Sequence, residues 1–423
     1  MKDPAALFDF KGRNDVIWFG NMNQEQSWDQ TKALPVMTDH VQNELVLQQE
    51  QQLLLIASKD HHVIMHHQPE SAFLAYLEKQ GVKLPHMVQK EDALKLKGLI
   101  VPYLLDESVE QASSLEKRKI YGSNSTLVKR FNHKISTRKW AEEHQFTVTC
   151  GAVCQNTDEL KQTYEELRAN HFSKMVLKIP YGSSGKGLRI LKNEREFMQL
   201  VTFIERRKIQ TDLLLEGWHP IKRSLNAQLL IQEEGSHLLS ITEQKINEDG
   251  IYLGTDFAPI YEQDKKREYE VSMHRIIELL YEEGYRGVVG VDSIIDINEQ
   301  LIPIIEINAR FTQVTYLLPI ICRFFSTYEY IESRFKRFSC SADLPFEDVL
   351  TEVTEALDPG EDGGFFIYTF GKTRADDMWH YRLFILFYHM KKDKQIHMLT
   401  KFDDMAFSAE RGERICRKMT LRS

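Results

Sequence analysis

The sequence lacks what would carry a chain into a membrane, an oxidising compartment or a complex with nucleic acid. Its most apolar run, VTYLLPIICRFF, is broken by Pro319 and Arg323, and the leading MKDPAALFDFKGRND is charged where a signal peptide needs an apolar core. A cytoplasmic location with no membrane partner is the expectation. Cysteines are few and scattered, at Cys150, Cys154, Cys322, Cys340 and Cys416, with no pair at the two-residue spacing that zinc sites favour. They are read as reduced thiols. Basic residues are not in excess either: 54 Lys and Arg stand against 62 Asp and Glu, a net charge of −8, so no nucleic-acid partner is expected. Neither an internal repeat nor a Pro- or Gly-rich linker marks a boundary.

What is present is an ordinary globular composition, 42% hydrophobic over 423 residues, enough for two or three domains with developed cores. DVIWFGNMNQEQSW reads as a strand running into a turn, and LLLIASK and LKGLIVPYLL continue the strand theme between helical segments such as ESAFLAYLEKQG. That alternation predicts a small α/β domain over residues 1–115. STLVKRFNHKISTRKWAEEHQF is helical in pattern, with Ser136 or Thr137 as its expected cap. A helix, the strand KMVLKIP, a glycine loop, a second helix and the strand DLLLEGW follow. Strands dominate from about Ser224 to Asn308, and residues 321–423 read as mixed α/β.

The loop in VLKIPYGSSGKGLRIL does not spell the Walker pattern, which needs Gly-Lys followed by Ser or Thr. Gly182, Gly185 and Gly187 still free the backbone to offer N–H groups to an anion, with donors from Ser183 and Ser184 and charge from Lys186. Lys178 interrupts an apolar run just before the loop, where a cation needs a reason to be. A surface turn would explain the loop alone equally well.

GYRGVVGVDSIIDINEQLIPIIEINARF weighs against the turn. Two β-rich runs flank NEQ and predict an antiparallel hairpin about Asn298 to Gln300, which sets Asp292 opposite Glu306. Alternation puts Glu306, Asn308 and Arg310 on one face. Facing like charges destabilise a sheet unless a cation lies between them. Oxygen ligands from Asp292, Glu306 and Asn308 suit a hard ion such as Mg2+. A solvated polar face pairing with Arg286 or Arg310 is the bland alternative.

In order along the chain, NHKISTRKWAEEH, VLKIPYGSSGKG, LLLEGWHP, VGVDSI and IEINARF resemble the ATP-grasp ligases over roughly Ser123 to Tyr316. The resemblance implies an α/β (α+β) ATP-grasp fold. It divides the chain into a Rossmann-like pre-ATP-grasp domain (1–115), an ATP-grasp domain (116–320, lobes about 150–218 and 219–316) and a C-terminal α/β extension (321–423). It implies that Lys134 and Lys178 hold ATP phosphates, that Gly182, Ser183, Ser184, Gly185, Lys186 and Gly187 form a lid, and that Glu216, Gly217 and Trp218 are the adenine hinge. Asp292, Glu306 and Asn308 would be the ligands of Mg2+, with Mn2+ as a substitute, and Arg310 with Lys178 would act on the transferring phosphoryl group. Asp292 departs from the Glu that many members carry.

FGNMNQE, RSLNAQLLI and ITEQKINEDGIYLGTDF resemble the peptide-ligase branch of antibiotic biosynthesis, which includes pheganomycin-type peptide ligases and carrier-protein glutamate ligases of the butirosin type. That implies ATP-dependent activation of an amino acid, glutamate favoured, and transfer to an acyl-carrier-protein thiol or a small amine. A free-standing peptide ligase and a non-catalytic ATP-binding regulator are the alternatives, and the oligomeric state is not legible. Arg223, Gln244 and Asp256 are weaker substrate candidates, and Arg334, Lys336 and Arg337 could meet an acidic carrier. HHVIMHH, His61 to His67, is read as structural because no carboxylate or cysteine accompanies it at ligand spacing.

Overall fold

A computed structural model describes residues 8, 10–28, 33–34, 39–93, 95–182, 187–247, 250 and 252–407. Among the described residues the strands form three sheets. The first is parallel, β3-β2-β1-β4-β5, from β1 (Val16–Phe19), β2 (His62–Met65), β3 (His86–Gln89), β4 (Leu99–Pro102) and β5 (Lys119–Ile120). Its side chains alternate between two cores. Val16, Trp18, Val63, Met65 and Val101 enter one, and Ile17, Ile64 and Ile100 enter the other, as a sheet covered on both faces requires. LLLIASK is not a strand: Leu53 to Leu55 end a buried 3-10 helix, Gln48–Leu55, and the strand lies a few residues later. A short apolar run carries no periodicity that separates these two states.

The second sheet is antiparallel, β6-β9-β7-β8, with β6 (Gly151–Cys154), β7 (Met175–Lys178), β8 (Leu188–Leu191) and β9 (Leu213–Gly217). Met175, Leu177, Leu213 and Leu215 pack against the helices Thr157–Ala169 and Glu194–Arg207, where Tyr164 and Phe197 stack at 3.9 Å. Alternation therefore turns Lys178 and Glu216 to the opposite face.

The third sheet is antiparallel with the order β14-β13-β10-β11-β12-β15-β17-β16. Its strands are β10 (Ile221–Ile231), β11 (His237–Ile246), β12 (Tyr252–Asp256), β13 (Gly287–Asp296), β14 (Leu301–Asn308), β15 (Tyr330–Cys340), β16 (Gly363–Ala375) and β17 (Met378–His389). Leu225, Ala227, Leu229 and Ile231 pack on the helix Gln263–Glu282 through Tyr269, Met273 and Ile276, which leaves Asn226 and Gln228 on the other face. The last three strands continue the same sheet.

An unpaired outer strand invites pairing with another chain. Here the outer strand β16 is met by side-chain amides from the 3-10 helix. Gln48 Nε2 donates to Lys372 O at 2.8 Å while Lys372 N donates to Gln48 Oε1 at 2.9 Å. Gln51 repeats the exchange with Phe370 at 3.0 and 2.8 Å.

The expectation of five reduced thiols is corrected at Cys340, which is disulfide-bonded, whereas Cys150 and Cys154 are free thiols. Spacing along the chain cannot reveal a pairing made through space. Cys416 lies outside the described residues. No helix among the described residues is long and apolar enough to cross a membrane.

Replacing Gln51 with Ala leaves the buried N–H and C=O of Phe370 without partners. The expected cost is about 2–4 kcal/mol in urea unfolding; unchanged stability would show that these amide exchanges do not hold the edge.

Candidate active site

The hairpin of β13 and β14 brings the acidic residues together, by a route more irregular than alternation alone suggests. The turn is Ile297 to Glu299, one residue earlier than expected. Asp296 N donates to Gln300 O at 3.1 Å, and Asp296 Oδ1 accepts from Asn298 N and Gln300 N at 2.8 and 2.9 Å. Next to the turn Ile294 faces Ile302, yet two residues on Asp292 faces Glu306, so β14 carries two extra residues around Pro303. Proline has no N–H to give the ladder and is tolerated at such an irregularity; Ser293 Oγ takes its carbonyl at 2.7 Å. A slip of two residues preserves the face of every side chain.

Asp292 accepts from Asn226 Nδ2 at 2.8 Å, Gln244 Nε2 at 2.7 Å and Asn308 Nδ2 at 3.1 Å. Burial, reinforced by Glu306, pushes its carboxyl up to about 6. Glu306 is half-buried, and desolvation raises its pKa, but Lys134, Arg310 and Lys178 outweigh that and hold it below the usual range. The two facing carboxylates are therefore driven apart in acidity by the side chains around each.

Lys134 is the first residue of the helix Lys134–Glu143. Its cap is His133, whose Nδ1 accepts from Ser136 N at 3.0 Å, in place of the expected Ser136 or Thr137. An imidazole nitrogen can cap a helix start as a hydroxyl does, which residue preference does not favour. Lys134 Nζ lies 2.8 Å from Glu306 Oε1 and donates to Gly182 O at 2.6 Å, so one ammonium joins the hairpin to the glycine loop. Gly182 has φ 148, and a Cβ on Gly187 would meet the Gly182 backbone at 2.9 Å, so the two ends of the loop approach as only glycine permits. Ser183, Ser184, Gly185 and Lys186 lie outside the described residues.

Lys178 Nζ sits 2.6 Å from Glu216 Oε2, and the other oxygen of Glu216 takes Arg138 Nη1 at 2.6 Å and the hydroxyl of Thr149. Burial raises the Glu216 pKa, and Lys178, Thr149 and Arg138 reverse that and hold it low. The carboxylate thus faces cations, while Gly217 N and Trp218 N donate to Cys150 O and Lys174 O, both at 2.9 Å.

The Arg310 side chain is buried and reaches Glu25, far away in the sequence. Its Nη2 donates to Asn308 Oδ1 at 2.7 Å, its Nε to Glu25 Oε2 at 2.9 Å, and its guanidinium lies 5.2 Å from the Tyr103 ring. Burial opposes its charge, but Tyr103, Glu25 and Glu306 leave its pKa raised. Glu25, in the 3-10 helix Gln24–Trp28, was not singled out by sequence; the signal was a carboxylate shortly after a buried strand, in FGNMNQE. Asn226 and Arg138 were missed as well.

The weaker candidates separate. Gln244 joins the site through Asp292. Arg223 is engaged by Glu243 at 2.9 Å and lies over the Tyr261 ring, and Asp256 is near Lys245 at 3.4 Å. Within HHVIMHH, His61 Nε2 lies 3.0 Å from Arg13 O and His66 Nδ1 lies 2.7 Å from Glu50. Among the described residues no group of three His, Cys, Asp or Glu side chains could hold a metal ion. A divalent ion here would rest on two carboxylates, the Asn308 amide and oxygens of its ligand. That oxygen-only set, with the repulsion that holds Asp292 up, fits a hard cation.

A family model described as the ATP-grasp domain matches residues 131–314, a span that contains Lys134 and Arg310 at its two ends. Over 410 residues the chain is 39% identical to the [butirosin acyl-carrier protein]–L-glutamate ligase of Niallia circulans, covering 95% of this chain and 97% of that one. The chain belongs to the ATP-grasp family. Solved structures share the fold at low identity. N5-carboxyaminoimidazole ribonucleotide synthetase in its ADP complex has TM-score 0.58 at 12% identity, covering 92% of this chain and 96% of its own. Biotin carboxylase of Campylobacter jejuni has TM-score 0.56 at 11%, covering 92% and 91%. ATP-grasp enzymes use ATP and a divalent metal, and the Lys134, Glu306 and Asp292 cluster lies inside the matched ATP-grasp span.

Glu216→Gln keeps the shape and removes the charge between Lys178 and Arg138, so about 3–5 kcal/mol of stability is expected to go at pH 7. Because folding depresses the Glu216 pKa, this difference should hold above the unfolded carboxylate value and shrink as pH falls through the folded one. Parallel denaturation of both proteins against pH measures it; a gap that widens in acid would refute the pairing.

Proposed function

We propose that this ATP-grasp ligase activates a carboxylate of glutamate as an acyl phosphate and transfers the glutamyl group to the phosphopantetheine thiol of an acyl carrier protein. The carrying observation is the facing Asp292 and Glu306 pair, flanked by Lys134 and Arg310. The donor and acceptor are supported by likeness along nearly the whole chain to a ligase named for them.

A donor carboxylate oxygen attacks the γ-phosphorus, the bond to the bridging oxygen breaks, and ADP leaves with the electron pair. The thiolate then adds to the acyl carbon, and the tetrahedral oxyanion collapses with loss of phosphate. Lys134 and Lys178 would bind the phosphates, and Gly182 to Gly187 would cover them. The backbone of Glu216 to Trp218 would border the adenine. Asp292, Glu306 and Asn308 would hold Mg2+, which would neutralise phosphate charge when bound. Arg310 would stabilise negative charge on the transferring group and the acyl phosphate. Glu25, on Arg310, sets that guanidinium in place.

Purified protein with ATP, Mg2+, glutamate and a phosphopantetheinylated carrier should release ADP and increase the carrier mass by one glutamyl group. ADP release without glutamate dependence, or a soluble dipeptide in place of the loaded carrier, would overturn the assignment. Glu306→Ala is expected to lower turnover on the order of a hundred- to a thousand-fold with the fold retained by circular dichroism; near-normal turnover would remove Glu306 from the site.

A further inference from the structure

The face of the large sheet that carries Asp292 also carries, far along it, two neighbouring cations: Arg337, which feels the charge of Asp39, and Arg382, which has no carboxylate partner among the described residues. Direct partners on antiparallel strands project to one side. Asp292 faces Asn226, and Asn226 faces Thr242; two residues on, Gln244 faces Thr255, which faces Ser333. Continuing along β15 on that side come Phe335 and Arg337, and Arg337 faces Arg382 of β17.

Strand alternation divides the basic stretch SRFKRF. Arg334 and Lys336 take the opposite face, where Arg334 pairs with Glu332 and Lys336 donates to the carbonyls of Phe402 and Asp403. Neither is available to a carrier as the sequence suggested. Arg337 donates to Gln42 Oε1 at 3.0 Å. Arg382, which sequence reasoning did not single out, lies between two rings, 5.3 Å from the Phe335 centroid and 5.0 Å from Phe384. Tyr252 stacks on Phe335 at 6.0 Å. The Nε of Arg382 is sealed from solvent with no hydrogen-bond acceptor, and among the described residues no carboxylate pairs with its guanidinium. Part of the side chain remains open to solvent. Burial and the Arg337 charge push its pKa down to about 10. Asp39 offsets part of the charge on Arg337, but Arg382, beside that cation and with its Nε sealed, costs free energy until an anion joins it.

We propose that Arg382 and Arg337 bind the phosphate of the acceptor's arm, the phosphodiester through which pantetheine is attached to its carrier. This rests on the carrier-thiol reading above. The donor amino acid is excluded by distance, because five strand spacings, on the order of 24 Å, separate the strand of Asp292 from that of Arg382. The nucleotide is excluded by direction, because Lys134 meets the large sheet at Glu306 on its outermost strand β14, at the opposite end from Arg382. The anion must come with the second substrate. A slender arm can reach a recessed Nε that the body of a folded partner cannot, and phosphate oxygens can satisfy two guanidinium forks at once.

The test compares 4′-phosphopantetheine with pantetheine as glutamyl acceptors for the full chain, with ATP, Mg2+ and glutamate, reading kcat/KM for thioester formation. The wild type should favour the phosphorylated arm at least tenfold. Arg382→Met, which keeps the packing between the rings, should bring that preference close to unity while the KM for glutamate and the use of pantetheine stay unchanged. Arg337→Gln should reduce the preference in the same direction, and serves if Arg382→Met does not fold. Equal use of both arms by the wild type, or an intact preference in the variants, overturns the phosphate site while leaving the carrier reading standing. Transfer to neither thiol, with ADP still released on an amine, overturns the carrier reading and this site with it.

Discussion

The site depends on one ammonium. Lys134 stands at a helix start, contacts Glu306 on the hairpin and donates to the carbonyl of Gly182 at the mouth of the glycine loop. Three segments far apart in sequence are therefore tied at one atom. Because the lysine is almost fully buried, the pairing operates where charge is poorly screened, and it helps hold Glu306 more acidic than the facing Asp292. Glu306 takes the cation and is held low; Asp292 rises through burial, reinforced by the facing charge of Glu306. The polar amides of Asn226, Gln244 and Asn308 around Asp292 satisfy its oxygens but cannot supply the positive charge.

Much of this was legible because a hairpin obeys a parity rule. Alternation placed Asp292 and Glu306 on one face, and their direct pairing results from two offsets that cancel: the turn comes one residue early, which moves the register by two, and the two residues inserted around Pro303 move it back. An insertion of one would have turned Glu306 into the hydrophobic core. The turn itself was misplaced by a residue because Glu299 adopts a left-handed conformation that its residue type does not advertise. LLLIASK was misread because a four-residue apolar run fits a buried strand and a buried helical turn equally well.

What escaped the sequence was long-range. Glu25 lies 285 positions from Arg310, and nothing in FGNMNQE announces the meeting. Gln48 and Gln51 sit in a glutamine-rich stretch that reads as solvated, yet they pair with backbone more than three hundred residues away. SRFKRF read as one basic patch, whereas the strand deals its charges to two faces with different neighbours. In each case the local pattern is correct and the partner is supplied by the order of strands in the sheet.

The three cations proposed to meet the phosphates share one arrangement: each is matched to a carboxylate of the protein, Lys134 to Glu306, Lys178 to Glu216 and Arg310 to Glu25. A buried cation without such a partner would be costly, so the pairs let the fold carry phosphate-binding charge at its centre. The same pairs set a condition on binding. A triphosphate with its divalent ion brings both signs, so the phosphates can take the ammonium groups while the ion takes Glu306, and no buried charge is stranded during the exchange. A phosphate arriving alone would draw Lys134 away and leave Glu306 facing Asp292 with nothing between them, strengthening the repulsion that adds to burial in lifting Asp292. With the proposed site residues, the paired charges would favour the metal complex of the nucleotide over the free nucleotide before any ligand geometry is considered.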